Sequence, residues 1–284
     1  MRPSESETAL LFEEILPKPL QGRGTIQIGT SGYSFKDWRE SFYPKGLDQG
    51  QWLSFYARHF NVVEINATYY RTPPTSTFQL MVDRTPEHFE FWVKVPGGVT
   101  HQGEDIKTIM MAFLEAVKPL EEAGRLKGLL AQYPPSFRYN EKSLDELACL
   151  KDLVSNIYLA VEFRQEEWIK DEVFSFLIEH ELIYVIADLP HLRGLPRPDI
   201  QITSSIRYIR FHGHNQHTWY NPQLGDRYDY NYSETELKKW VSKIKVLDEE
   251  NSMAYLFFNN CHAGQAVKNA RMLRQLLELE FENE

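Results

Sequence analysis

From Ile26 onward, short apolar runs alternate with longer segments in which apolar positions recur every three to four residues. The runs are Ile26–Gly29, Val62–Asn66, Phe89–Val95, Leu126–Gln132, Ile157–Phe163, Leu182–Asp188, Ile206–Phe211 and Met253–Phe258, each the length of a buried strand. Between them the helical period predicts helices over Gly50–Phe60, Ser76–Arg84, Ile106–Gly124, Asn140–Val154, Glu167–His180, Thr235–Glu250 and Gly264–Leu279. Ser233 and Glu236 have capping-box spacing, and Gly124 stands where a helix over Ile106–Ala123 would stop. Eight strands alternating with helices predict one parallel (β/α)₈ barrel, an α/β TIM barrel. One connection breaks the rhythm. Arg193–Ser205, between the sixth and seventh strands, is proline-rich and too short for a full helix, so a degenerate turn is expected there. Residues 1–24 read as an N-terminal extension to a barrel domain at 25–284. Thr8–Leu16 is a short helical stretch that Pro17, Pro19, Gly22 and Gly24 then break.

Side chains alternate faces along a strand, so parity separates the barrel interior from the helix-facing side. In the fifth strand Ile157, Leu159, Val161 and Phe163 go outward, leaving Tyr158, Ala160, Glu162 and Arg164 inside. The same reasoning turns Val62, Glu64 and Asn66 inward from the second strand and Trp92 and Lys94 from the third. Gly29 and Ser31, Gln132, Asp188, Arg210 and His212 follow near their strand ends, and at the eighth strand Asn259 is favoured over Asn260. The inward polar residues thus gather at the C-terminal strand ends, where barrel enzymes place their active sites. Buried charges are costly unless paired, hydrated or ligand-bound, so this ring is either a salt-bridged lid over the core or a site.

Composition narrows the classes. Apolar residues make up 42% and charged residues 25%, ordinary for a globular chain. Cys149 and Cys261 have neither metal-ligand nor disulfide-framework spacing, which points to a reducing, cytoplasmic setting. No apolar run reaches the ~18 residues of a spanning helix and no signal-peptide pattern opens the chain, so no membrane partner is expected. The formal charge of −9 opposes a phosphate backbone, so nucleic acid is not the favoured partner.

Within the ring, Glu64 and Glu162 are the candidate acid/base pair, with His212 as a third catalytic candidate. Carboxylates on opposite sides of a mouth can flank a substrate, as in glycoside hydrolysis. Lys94, Arg164 and Arg210 are candidate anion contacts, because guanidinium forks match carboxylate and phosphate. Ser31, Asn66, His101, Gln132, Asp188 and Asn259 complete the candidate binding set. The loop Asn259–Gly264 leads into a helix at Gln265 whose amides could hold phosphate. No cofactor is predicted. A divalent metal is the alternative, since His212, His214 and His217 form an H-x-H-x-x-H string near Asp188 and Glu162, although the inward cations oppose a dication. Aromatics crowd the predicted mouth loops. Tyr69 and Tyr70, with Tyr33, are the ligand candidates, and Trp38 and Trp168 the loop anchors; Phe35, Tyr133, Trp219 and Tyr220 lie in the same loops. Ser31 lacks the G-x-S-x-G surroundings of an activated nucleophile.

The segments I-G-T-S-G-Y-S-F-K-D-W (Ile28–Trp38), F-Y-P-K-G-L (Phe42–Leu47) and F-N-V-V-E-I-N-A-T-Y-Y (Phe60–Tyr70) resemble the YecE-like family, also called domain of unknown function 72. So do F-W-V-K-V (Phe91–Val95) with Thr100 and His101, Q-Y-P-P-S-F (Gln132–Phe137), A-V-E-F-R (Ala160–Arg164), Y-I-R-F-H-G (Tyr208–Gly213), Arg227–Tyr230, and F-N-N (Phe258–Asn260) with Asn269 and Ala270. The resemblance covers nearly all of Ile26–Leu276. It implies a TIM barrel with its site at the strand ends and supplies no established reaction. His214 stands where similar sequences often carry Arg, and the long N-terminal extension is a second departure. Together these observations predict an acid/base enzyme, hydrolytic or isomerising, acting on a polar, anionic, ring-bearing small molecule such as a sugar phosphate or nucleotide-like compound. The alternatives are a non-catalytic ligand- or nucleic-acid-binding accessory protein and a metal-dependent phosphoester hydrolase; oligomeric state is left open.

Overall fold

The eight apolar runs become eight parallel strands that wind in chain order around one axis. The computed structural model describes residues 20–21, 24–102, 105–221 and 226–281, so the helix expected over Thr8–Leu16 lies outside the described residues. The strands are β1 (Thr25–Thr30), β2 (Val62–Ile65), β3 (Glu90–Lys94), β4 (Leu126–Gln132), β5 (Tyr158–Glu162), β6 (Leu182–Asp188), β7 (Ile206–Phe211) and β8 (Met253–Phe258). The helices between and after them are α1 (Trp52–Tyr56), α2 (Thr75–Asp83), α3 (Ile106–Glu122), α4 (Glu141–Val154), α5 (Asp171–Glu179), α6 (Glu234–Leu247) and α7 (Gln265–Phe281). Each strand pairs with the next from β2 to β8, and β8 pairs with β1. A two-residue strand, Leu20–Gln21, adds antiparallel to β1.

The seam of the barrel lies between β1 and β2, where a single bridge joins Ser31 to Glu64. Gly29 makes this approach feasible. A Cβ there would stand 2.4 Å from the Val62 carbonyl oxygen, a backbone atom that cannot swing aside.

Two apolar layers result from the strand parity. Outside the sheet, residues such as Val63, Ile65, Phe91, Val93, Leu159 and Val161 pack against the helices. Inside, Val62, Trp92, Leu130, Ala160, Val185 and Tyr208 form a second, enclosed cluster. Trp92 fills most of that interior, edge-on to Tyr208 at 4.7 Å, and Gly128 on β4 leaves room for its ring. The barrel is therefore a solid core with a polar layer on top, not a pore.

Local chemistry sets the helix ends. Ser233 and Glu236 form the capping box that opens α6, and Gly124, at φ +68°, ends the turn after α3. Two helices are shorter than their periodicity suggests. Gln49–Gln51 is a 3₁₀ turn ahead of α1, and Glu166–Trp168 is another ahead of α5. The second is pinned by the buried Trp168 indole, which donates to the Phe137 carbonyl at 2.8 Å. The connection from β6 to β7 has no helix. Thr203 instead satisfies the edge of β6 by donating to the Leu182 carbonyl and accepting from the Tyr184 amide. Among the described residues no helix is long and apolar enough to cross a membrane.

Gly29→Ala is expected to lower stability by about 1–3 kcal/mol, because the seam must open to admit the methyl group. A denaturation midpoint equal to wild type would show that the seam tolerates separation.

Candidate active site at the barrel mouth

One layer above Trp92 and Tyr208, alternation replaces apolar side chains with polar ones on nearly every strand. Glu64, Lys94, Gln132, Glu162, Arg210 and Asn259 sit there at β2, β3, β4, β5, β7 and just beyond β8. Arg210 is the centre of the layer. Its Nη2 donates to Glu64 Oε1 at 2.7 Å and its Nη1 to Glu162 Oε2 at 2.5 Å. Tyr208, one layer below, donates to Glu64 Oε2 at 2.7 Å, and Asn66 donates to Oε1 at 2.9 Å. On the far side of Glu162, Arg164 Nη2 forms an ion pair with Oε1 at 2.5 Å, and His212 lies 3.4 Å away. Asn259 fixes that imidazole through Nδ1 at 2.9 Å. Both carboxylates, Arg210 and His212 are all but inaccessible to solvent.

These contacts decide the charges. Burial alone would protonate Glu162, but Arg164 and Arg210 outweigh it and hold the carboxyl well below its ordinary range. Burial pushes His212 down to about 3, with Arg164 adding to the effect, so this ring is neutral. Lys94 is the unusual member. Burial first, then the field of Arg210, pushes its ammonium down to about 7 against the opposing pull of Glu162. Its hydrogen-bond partner is the neutral Gln132 amide, which accepts from Nζ at 2.8 Å. Gln132 is held in that orientation by its own donation to the Tyr133 carbonyl.

The mouth has a sealed half and an open half. Over β5, β7 and β8, the loop after β7 brings Trp219 across Arg164 at 5.4 Å and Tyr228 to 6.3 Å from His212. Leu189 and Leu195 of the helix-less β6–β7 connection pack with Trp219. Over β2 to β4, Asn66, Tyr69, His101 and Gln132 are only half-buried around Lys94. The Tyr69 ring lies 4.3 Å from Lys94 Nζ and edge-on to His101 at 4.9 Å. His101 rides a π-helical turn over Gly98–Gln102; burial and Lys94 push it down to about 4. Lys94 is therefore the cation bordering the open half, while Arg164 lies under Trp219 in an ion pair with Glu162 and Arg210 is paired with both carboxylates.

Several sequence-based expectations need correction. Asp188 does not point inward. Ile183 and Val185 take the interior of β6 and Ala187 continues that face, so Asp188 turns outward to accept from Tyr232 at 2.7 Å and to pair with His214 at 3.0 Å. Tyr70 is 86% exposed and leaves contact with Lys94 to Tyr69. Tyr33 turns to the helix side of β1, with its ring 6.3 Å from Tyr56. Ser31 stays at the mouth, but its hydroxyl is buried without a hydrogen-bond partner. The amides before α7 already hold an acid, since Ala263 N–H donates to Asp37 at 2.6 Å. The histidine string does not converge: His212 faces Glu162, His214 faces Asp188 and Glu236, and His217 is exposed. Among the described residues no group of three or more His, Cys, Asp or Glu could hold a metal ion. Nor can Glu64 and Glu162 flank a substrate directly, because the Arg210 guanidinium lies between them. Sequence reasoning missed Tyr208 as a partner of Glu64; its position two residues before Arg210 on an inward face was the available signal.

The family model described as "Protein of unknown function DUF72" matches residues 27–284. The chain belongs to this DUF72 family. The UPF0759 protein YunF of Bacillus subtilis is 29% identical over 273 residues, covering 90% of this chain and 96% of that protein. The UPF0759 protein YecE of Escherichia coli K12 is 33% identical over 87 residues, 30% of this chain and 31% of that one. A crystal structure of a DUF72 family protein from Thermotoga maritima superposes with a TM-score of 0.82 at 39% identity, over 89% of this chain and 99% of that chain. The resemblance carried by the motifs is thereby a family membership, and the barrel is the family's fold.

Two outcomes follow for this DUF72 site. Arg210→Met should cost about 3–5 kcal/mol by stranding two buried carboxylates, and adding Glu64→Gln and Glu162→Gln should recover part of it in urea denaturation. A triple variant no more stable than the single one would show that charge is not what Arg210 balances. His214 supplies a pH signature. Burial opposes its protonation, but the hydrogen bond and charge of Asp188, then Glu236, outweigh burial and raise its pKa. A raised folded-state pKa gives stability that is complete below the unfolded value of 6.5 and is lost as pH rises through the folded value. His214→Gln should flatten that decline; an unchanged urea-midpoint profile between about pH 5 and about pH 9 would remove His214 as its source.

Proposed function

We propose that this DUF72 protein is an acid/base enzyme that moves protons on a polar, anionic, ring-bearing small molecule, a sugar phosphate or nucleotide-like compound, bound over the open half of the mouth. The observation that carries the reading is Lys94. It is a buried amine titrating near neutrality, bordered by the half-buried Asn66, Tyr69, His101 and Gln132, in a polar layer whose other charges are paired. In this reading Lys94 exchanges the proton, and Arg164 holds the anionic group together with the Lys94 ammonium. Asn66, His101 and Gln132 orient the substrate, and the Tyr69 ring stacks on it. Glu64, Glu162 and His212 do not exchange protons with substrate. They fix Arg210 and Arg164, and Arg210 in turn keeps Lys94 poised. The paired, sealed carboxylates favour an isomerising proton transfer over hydrolysis by a carboxylate pair.

The linkage gives the test. Lys94 is a cation below about 7 and neutral above, so an anionic ligand gains one charge-assisted hydrogen bond only on the acid side. That bond contributes about 1.5–3 kcal/mol, or roughly ten- to a hundredfold in affinity. Thermal shifts with a panel of sugar phosphates and mononucleotides should therefore be larger at about pH 6 than at about pH 8.5. Lys94→Met should abolish the difference. The same variant without ligand should be more stable than wild type below about 7, where only the wild type buries an ammonium, with the gain shrinking toward 10.5 as the wild type sheds that proton on folding instead. Binding that is indifferent to both pH and Lys94 would overturn the assignment.

A further inference from the structure

The lysine at the open edge also has the surroundings of a nucleophile. Gln132 presents its carbonyl oxygen, so it engages an N–H of Lys94 and leaves the nitrogen lone pair uncommitted. Glu64 and Glu162 are ion-paired or hydrogen-bonded to Arg210, Arg164, Tyr208 and Asn66, and the direct partner of the ammonium is the Gln132 amide rather than a carboxylate. The Tyr69 ring lies 4.3 Å from Nζ, keeping water off the amine while attracting its charged form. Nearby, the Arg164 Nε–H and the Ser31 hydroxyl are buried without hydrogen-bond partners, a donor and a donor–acceptor on the same inner mouth. An amine desolvated beside other cations is the arrangement that activates lysine toward carbonyl carbon.

We propose that Lys94 forms a covalent imine with an aldehyde or ketone substrate that also carries a carboxylate or phosphate group. This rests on the reading of Lys94 as the proton-exchanging group and adds a bond to it. The Nζ lone pair attacks the carbonyl carbon, the C=O π pair moves to oxygen, and the proton lost by nitrogen is taken up there to give a carbinolamine. That oxygen takes a second proton from solvent and leaves as water, which gives the protonated imine. The balance is amine plus carbonyl plus one proton giving protonated imine plus water, with no oxidant or reductant. The protonated imine withdraws electrons from the neighbouring C–H and acidifies it, and water reverses the linkage to release the carbonyl compound. The anionic group of the substrate lies toward Arg164, and the Arg210–carboxylate layer beneath stays intact throughout.

The experiment uses the full chain with two probes, glyoxylate and glyceraldehyde 3-phosphate, each with and without sodium borohydride. Intact mass and peptide mapping then locate any reduced adduct. One equivalent on Lys94 is expected, on the order of a hundredfold faster than on solvated lysines. An amine titrating near neutrality is half unprotonated at about pH 7, whereas one near 10.4 is almost wholly charged. Lys94→Arg should lose this adduct while keeping the wild-type circular dichroism spectrum. Gln132→Glu, which puts a carboxylate beside the amine, should move adduct formation to higher pH without abolishing it. Labelling scattered over surface lysines, or none with either probe, overturns the imine. Carbamoylation by cyanate, followed against pH, reads the amine independently of any carbonyl. A Lys94 that titrates near 7 but gives no reducible adduct removes the imine and leaves proton exchange standing. One that titrates near its ordinary 10.5 removes both.

Discussion

Arg210 holds two carboxylates that arrive from strands on different sides of the barrel, and all three groups are out of reach of water. Either glutamate alone, buried with no cation, would give up its charge or unfold its surroundings. With Arg210 between them, the three become one rigid unit spanning β2, β5 and β7. The unit has two effects that reach beyond its own contacts. It caps the apolar interior at the level of Trp92 and Tyr208, and it sets opposing fields at β3, where Arg210 lowers the pKa of Lys94 and the two glutamates raise it. Burial under this layer is the largest cause of the lowered Lys94 pKa, and Arg210 adds to it. The reactivity assigned to Lys94 is thus a property of residues far away in sequence.

The fold was largely legible in the chain. Eight apolar runs separated by helical segments mark the strands, and where a run carries a two-residue alternation it also marks the face presented. That phase placed Glu64, Lys94, Gln132, Glu162, Arg210 and Asn259 in one layer, because near each strand's C-terminal end the polar residue falls on the parity opposite its apolar, helix-facing neighbours. β6 has no such asymmetry. Leu182–Ala187 is apolar on both faces, so nothing in it sets the phase, and Asp188 was taken for an inward residue when it belongs to the outer side with Tyr232 and His214. Tyr69 and Tyr70 were equally credible neighbours of the site. Their separation depends on a single 3₁₀ turn, Ala67–Tyr69, that turns one ring over Lys94 and leaves the other in solvent.

Roles were harder to read than positions. Glu64 and Glu162 look like an acid/base pair while their partners are unknown, and His212 looks like a proton shuttle until Arg164 is found against it. The deciding quantities are which oxygen meets which nitrogen and how much water remains, and neither leaves a local mark on sequence. The same holds for the helix N-terminus at Gln265. The chain announces amides suited to an anion, yet Asp37, over two hundred residues earlier, already supplies one.

The wall of this vessel is unevenly made. Seven of its joints are full ladders, while the eighth, between β1 and β2, is one rung at Ser31 and Glu64 with a bare glycine two residues below. The joint with the fewest rungs is the one that resists opening least, and one of its two strands carries one of the two acids that anchor Arg210. A parting there would slacken the guanidinium's hold and with it the charge that a neighbouring amine feels. Mechanical slack in the wall and chemical readiness at its rim are in this way one degree of freedom.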